Sequence, residues 1–377
     1  MKPQLGQRAT LANWRQAPYN RWAFHHVREL IPSADIAHDR RRVRELELGA
    51  RRLEVRIEPD AGEPLTLEQF LAETQTDGFV VLHRGRLVAE HYPDEMGPEA
   101  PHILMSVSKS MLGLLFGDLG IDPERQVTDV LPELRDTAYK GATLRHLLDM
   151  RAGVAFDEDY LAASGAIVEY RKATGWNPPG PDDAASDLHA FYRVLKERDG
   201  PHGGCFHYTS PNTDLLGWVI ERASGRRYAD LMSEHVWKKI GAEQSAYITV
   251  DRLGAPRCAG GMCASARDLA RAGHWMIEQA SAWIDDIVAN ADANAWRAGN
   301  GLVACFRGLP IRYRGQWYVL DGTAPLLFGY GIHGQFLFVD RANEIVIAQL
   351  SSQALPLDPA RIGLTMRAVS QVRKCLA

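Results

Sequence analysis

No stretch of this 377-residue chain approaches the roughly 20 consecutive apolar residues that a membrane-spanning helix requires. The opening segment, MKPQLGQRATLANWRQAP, has no apolar core of signal-peptide length, so a cytoplasmic protein is expected. Cysteine is scarce: Cys205, Cys258, Cys263, Cys305 and Cys375 are odd in number and scattered in spacing. That pattern predicts free thiols in a reducing compartment, not a disulfide framework. Positive charge is not in surplus either. The net charge of −4 gives no reason to expect a nucleic-acid or anionic-membrane partner. Arg40-Arg41-Arg42 with Arg44 is a local basic run that reads as a solvated face.

Three catalytic signatures are also missing. There is no G-x-S-x-G nucleophile elbow, no H-E-x-x-H and no Walker-type phosphate loop. Of the 13 histidines, the one close pair, His25-His26, would point to different faces of a helix. No metal and no cofactor is therefore expected. Internal repeats and low-complexity segments are absent as well.

What is present is a large apolar fraction, 46% of the chain, which is ample for a sizeable core. Residues 79–92, FVVLHRGRLVAEHY, read as a β-hairpin turning at Arg84-Gly85. Residues 335–352 read as a second hairpin, turning at Asp340–Asn343. Asp358 followed by Pro359 starts a terminal helix that runs to about Cys375. Between these ends the pattern is mainly helical. Asp182–Arg198 puts Leu188, Phe191 and Leu195 on one face after the Pro-rich loop 177–181, and short amphipathic helices follow Thr143 and span 214–223. The two hairpins need each other to bury their faces, so the expected architecture is an α/β unit (α+β) built from both chain ends. A mainly helical region is inserted between them.

The chemistry concentrates in residues 103–117, ILMSVSKSMLGLLFG. Ser106 would sit at a helix start, and Lys109, three residues on, would share its face. Free backbone N–H groups there favour developing negative charge, while burial and the helix field both lower the lysine pKa from its usual ~10.4. A neutral lysine beside a hydroxyl can act as base, which makes Ser106 a candidate nucleophile. A capped, solvent-facing turn would carry the same letters, so partners are needed. Tyr208, in FHYTSPNTDLLG (206–217), is a candidate proton shuttle, since a phenol near an ammonium loses its proton more easily. The Gly-rich stretch FGYGIHGQ (328–335) could bring a strand-edge N–H alongside that of Ser106 as an oxyanion hole.

In this order the elements resemble the serine β-lactamase and penicillin-binding-protein superfamily, in its class C-type and esterase branch. The likeness is greatest to the 6-aminohexanoate-dimer hydrolases. Supporting stretches are NWRQAPYNRWAFHHVRELIP (13–32), TLRHLLDMRAGVAFDEDY (143–160) and GGMCASARDLARAG (260–273). The resemblance implies a β-lactamase/transpeptidase-like fold, an antiparallel sheet flanked by helices. Residues 67–377 would form the hydrolase domain with its helical insertion at about 120–265, and residues 1–66 an extension packed on the α/β region. It implies Ser106 as acylated nucleophile, Lys109 as its proton partner and Tyr208 as second general acid/base. The backbone N–H groups of Ser106 and Ile332 would form the oxyanion hole. Tyr160, Ser210, Asn212, Tyr330 and His333 would contact substrate.

The reaction implied is hydrolysis of short-chain esters or small linear amides through an acyl-enzyme. A small-molecule substrate is the expected partner, and a homodimer stays open. The departures narrow this reading. The usual Tyr-x-Asn becomes Tyr208-Thr209-Ser210, and Lys-Thr-Gly becomes Gly329-Tyr330-Gly331, which has no cation to hold a substrate carboxylate. Strong β-lactamase or D-amino-acid peptidase activity is thereby disfavoured. Lys172-Ala-Thr-Gly175 has similar letters but the wrong order and context. The segment after the nucleophile helix (116–134) is short for the family, which leaves that helix's end unplaced. A non-catalytic sensor on the same fold is the rival from another class, and Tyr208 is the residue that argues against it.

Overall fold

The two hairpins meet across the whole length of the chain. The computed structural model describes residues 8–49, 53–93, 96–180 and 186–377. In it, strand Thr76–His83 pairs antiparallel with Ile345–Ser351, placing Val81 opposite Ile347. They are the second and third strands of a seven-stranded antiparallel sheet. Its order is Arg86–His91, Thr76–His83, Ile345–Ser351, Gln335–Asp340, Leu326–Gly331, Trp317–Leu320, Ile311–Arg314. Arg84 and Gly85 both take positive φ at the first hairpin turn, the conformation a tight two-residue hairpin requires.

These strands read as nearly continuous apolar runs because both faces of the sheet are covered. Val80, Leu82, Val346, Ala348 and Leu350 fall in one core with residues of helix Ala266–Glu278. Phe79, Val81, Ile345 and Ile347 fall in a second core with the terminal helix Pro359–Leu376. The alternation is the period of two that a pleated strand imposes.

The N-terminal residues are woven into the fold. Strand Ser33–Ile36 pairs with Ala246–Thr249 in a smaller four-stranded sheet, which Met262–Ala264 and His102–Ile103 complete. Trp14, Phe24, Val27 and Ile31 share a third core with Ile103, Met105, Trp176 and Ile332. This segment therefore backs the chain leading into Ser106.

The middle is helical, with two adjustments to the expected bounds. The helix expected over Asp182–Arg198 spans Leu188–Val194 among the described residues, and 181–185 lie outside them. Asp187 caps it by accepting the Ala190 N–H at 2.9 Å, so the cap sets its start. The helix expected over 214–223 spans Ser210–Ser224, four residues longer at its N-terminus, with Pro211 in its first turn. The helix after Ser106 runs Val107–Leu119 and ends on Gly120 in the left-handed conformation. All five cysteines are free thiols. No described helix is long and apolar enough to cross a membrane. Arg40, Arg41 and Arg42 are exposed, and Arg44 pairs with Glu278 at 2.6 Å.

Helix Ala266–Glu278 reaches the sheet through a glycine. A Cβ at Gly273 would lie 2.5 Å from Val346 Cγ1 and 3.2 Å from Leu337 and Val339. Gly273→Val is expected to lower stability by about 1–3 kcal/mol through overpacking. Urea unfolding, read as the shift in midpoint at unchanged slope, checks this. A neutral result would mean that the helix and sheet are not in this close contact.

Candidate active site

Ser106 is the residue before the first turn of a helix whose first ten residues are all buried. Met105, just before it, has φ +44°, a left-handed conformation that costs a non-glycine residue of order 1–3 kcal/mol. That bend turns the chain sharply out of strand His102–Ile103 into the helix. Ser108 and Ser110 serve packing: Ser108 Oγ accepts the Met262 N–H at 3.1 Å, and Ser110 donates to the Gln316 carbonyl at 2.9 Å.

Lys109 is buried and surrounded by oxygen. Its Nζ lies 2.9 Å from Ser106 Oγ, 3.0 Å from Ser210 Oγ and 2.8 Å from the Ala259 carbonyl. Burial is the main cause that lowers its pKa from 10.5 to about 7, and Arg257 adds to it, while Glu158 and Asp214 oppose it. The hydrogen bonds give this a direction. The Ala259 oxygen can only accept. Ser210 donates both its N–H (2.8 Å) and its O–H to the Glu158 carboxylate, so Ser210 Oγ must accept from the lysine. A neutral amine has two N–H donors and one lone pair. Both donors are spoken for, and the lone pair faces the Ser106 hydroxyl.

The supports of Lys109 are themselves fixed. Asp214, buried in helix Ser210–Ser224, accepts the Ala259 N–H at 2.7 Å and the Tyr170 hydroxyl at 2.5 Å, and pairs with Arg257. Burial acts to lower the Arg257 pKa, but Asp214, Tyr170 and Glu158 together outweigh it and hold the guanidinium firmly charged.

Tyr208 is placed where the sequence puts it, with one correction to its chemistry. Its ring centroid is 4.8 Å from Lys109 Nζ, and Ser106 is near enough to act on its ionisation. Proximity to lysine does not ease its ionisation. Burial pushes the phenol well above its ordinary range, and the contact with Ser106 offsets only part of that. Tyr208 is thus a neutral O–H at the pH where Lys109 titrates.

The far wall is strand Leu326–Gly331 and Ile332. A Cβ on Gly331 would stand 2.8 Å from the Ser106 N and 2.8 Å from the Leu104 carbonyl, and one on Gly329 2.7 Å from Ser110 Oγ. Only glycine lets this strand lie against the start of the helix. Ile332 lines the same pocket as Ser106, and His333, next in the chain, has φ +63°.

Two cavities meet at Glu158 and Tyr160. The first contains Ser106, Ser210 and Ile332 together with Arg15, Arg171 and Arg257. The second, the larger of the two, contains Tyr208 and His207 with Asp157 and Asp159. Of the predicted substrate contacts, Tyr160 and Ser210 are brought here. Asn212, Tyr330 and His333 line neither cavity. Asn212 is buried and accepts from the Tyr139 hydroxyl at 3.2 Å. Tyr330 packs between Phe306 and Phe336. His333 binds the Gln353 carbonyl through Nδ1 at 2.7 Å, and burial holds its pKa down to about 4. Lys172 of the decoy motif sits at the end of helix Ala166–Ala173 and pairs with Glu169 at 3.0 Å.

Sequence reasoning missed Glu158, Asp214 and the three arginines. Glu158 was within reach, as the residue two before Tyr160 in DEDY. It also overlooked the histidine environment. His25 lies with Asp77 and His102, their ligand-type atoms within 4.8 Å of one another. His102 Nε2 approaches Asp77 Oδ2 at 3.4 Å, and Arg21 pairs with the other Asp77 oxygen at 3.5 Å. The Asp77 charge is thus already met by side chains that brace the strand leading to Ser106.

The β-lactamase family model matches residues 66–369. Over 356 residues the chain is 35% identical to the 6-aminohexanoate-dimer hydrolase of Paenarthrobacter ureafaciens, covering 91% of this chain and 88% of that protein. A Bacillus anthracis protein ascribed the same activity superposes with a TM-score of 0.87 at 25% identity, over 100% of this chain and 99% of its own. A D-stereospecific amidohydrolase from a Streptomyces species shares the fold, with a TM-score of 0.57 at 18% identity over 77% of this chain and 96% of that one. With these likenesses spanning the sheet, the inserted helices and the Ser106 pocket, the chain belongs to the β-lactamase family and is a hydrolase of that superfamily.

Proposed function

We propose that the protein hydrolyses short-chain esters or small linear amides through an acyl-enzyme on Ser106. The observation that carries this reading is the position of Lys109 Nζ, 2.9 Å from Ser106 Oγ and beside two oxygens that take the N–H donors of the neutral amine. In acylation, Lys109 takes the Ser106 proton as the oxygen attacks the substrate carbonyl. The backbone N–H groups of Ser106 and Ile332 receive the developing oxyanion. Tyr208, neutral and close to Ser106, gives its proton to the leaving group and regains one from the Lys109 ammonium. Water then attacks the acyl-enzyme, with Lys109 again as base and the Ser106 oxygen leaving protonated. The 6-aminohexanoate-dimer hydrolase that the chain resembles supports the linear-amide half of the proposal. The absence of a cation on Leu326–Gly331 speaks against rapid β-lactam turnover.

A panel of p-nitrophenyl acetate and butyrate, nitrocefin and the linear 6-aminohexanoate dimer tests the reading on wild type and Ser106→Ala. The variant is expected to lose about 10³-fold or more in kcat on every substrate that the wild type turns over. Equal activity in the variant would remove Ser106 from the mechanism, and nitrocefin as the best substrate would overturn the proposed specificity.

The pH dependence follows from Lys109. Its folded pKa lies below the ordinary lysine value, at about 7, and the neutral form is the reactive one. kcat/KM is therefore expected to rise about tenfold per pH unit below 7 and to level off above it. A rate that is flat between pH 5.5 and 8.5 would contradict the assignment of Lys109 as base.

A further inference from the structure

The Ser106 cavity carries more positive charge than catalysis uses. Arg15, Arg171 and Arg257 all line it. Arg257 is paired with Asp214, yet its buried Nε has no hydrogen-bond partner among the described residues. Arg171 is buried, and its hydrogen bonds go to backbone carbonyls, those of Tyr160 at 3.0 Å and Asp159 at 3.3 Å among them. Arg15 donates to the Asn177 side-chain oxygen at 2.5 Å. Among the described residues neither Arg15 nor Arg171 has a carboxylate within ion-pair distance. Trp176 holds two of the guanidiniums in place, with Arg15 5.9 Å and Arg257 4.8 Å from its ring centroid.

The one carboxylate in this wall is Glu158, and both of its oxygens are engaged by Ser210. Gathering guanidiniums without matching anions costs free energy. The cost is visible at Arg15, whose pKa is pulled down to about 9 by burial and by the charges of Arg171 and Arg257. An anionic ligand offsets it, and a carboxylate fits planar guanidinium donors in pairs.

Which part of the substrate enters this cavity follows from the proton donor. Tyr208, proposed to protonate the leaving group, opens on the second cavity, beside Asp157 and Asp159. The leaving group departs on that side, and the acyl group lies with Ser106 and the arginines. We infer that Arg15 and Arg171, backed by Arg257, bind a carboxylate on the acyl side of the substrate, so that the preferred substrates are half-esters or half-amides of short dicarboxylic acids. This inference rests on the hydrolase reading of the same site. It also replaces the cation that the terminal strand lacks with cations from the N-terminal segment and the helical region.

A matched six-carbon series tests it: the p-nitrophenyl half-ester of adipate, p-nitrophenyl hexanoate and p-nitrophenyl 6-aminohexanoate, differing only in the far end of the acyl chain. The four-carbon pair, the succinate half-ester and the butyrate, covers a shorter reach. The half-ester is expected to exceed its neutral counterpart about tenfold or more in kcat/KM in at least one pair, with the ammonium ester slowest. In Arg15→Gln and in Arg171→Gln the half-ester to neutral-ester ratio should fall toward one. A variant that merely perturbs folding lowers both rates and keeps the ratio. Neutral esters hydrolysed as fast as both half-esters would overturn the inference while leaving the hydrolase reading intact. If no ester is turned over, that reading fails, and calorimetry with adipate and succinate on the wild-type protein still decides the inference. Binding of either that Arg171→Gln weakens about tenfold supports it, and binding of neither overturns it.

Discussion

The proposed active site depends on one amine buried among three oxygens, two of which can only accept its protons. In water a lysine is protonated at pH 7 and useless as a base. Removing it from solvent brings its pKa to about 7, and the geometry of its neighbours then chooses where the lone pair points. Two of the three oxygens around Nζ are obliged to accept: Ala259 because it is a carbonyl, Ser210 because its own proton is committed to Glu158. Other features of the site serve to keep those two obligations in place. Asp214 ties down Ala259, Glu158 ties down Ser210, and the Arg257 pair neutralises Asp214 where a lone buried charge would be costly.

The second constraint is proximity between strand and helix. The expected oxyanion donors lie on Ser106 and Ile332, in segments more than 200 residues apart in the chain. They share a pocket because Gly329 and Gly331 have no side chains to hold the strand away. Met105 and His333, each beside one of those residues, carry left-handed backbone that a non-glycine residue adopts only at some cost. That strain is supported by packing from the N-terminal segment, where Trp14 and Phe24 join Met105 and Ile332 in one apolar cluster.

Much of this was legible in the sequence where a local period governs geometry. The Ser106–Lys109 pairing follows from helical spacing, and the two hairpins from alternation and turn residues. The same periods explain the misreadings. Asn212 is two residues beyond Ser210 on one helix, and residues at that spacing do not share a face. It therefore turns into the core toward Tyr139. Tyr330 alternates with Gly329 and Gly331 on a strand, so when the glycines face the helix the tyrosine must face the other core. Arg15, Arg171 and Arg257 were illegible for a different reason. They converge from a loop, the N-terminal segment and the helical region, and no spacing relates them to Ser106.

The charge state of Lys109 before substrate arrives decides whether this chemistry can start. It can be read directly by following the 13Cε resonances of labelled lysines by NMR across pH 5–11, with Lys109 assigned by its absence in Lys109→Met. One lysine, Lys109, is expected to titrate near pH 7. A Lys109 resonance that stays protonated past pH 9 would contradict it, because the amine would then have no lone pair to offer Ser106.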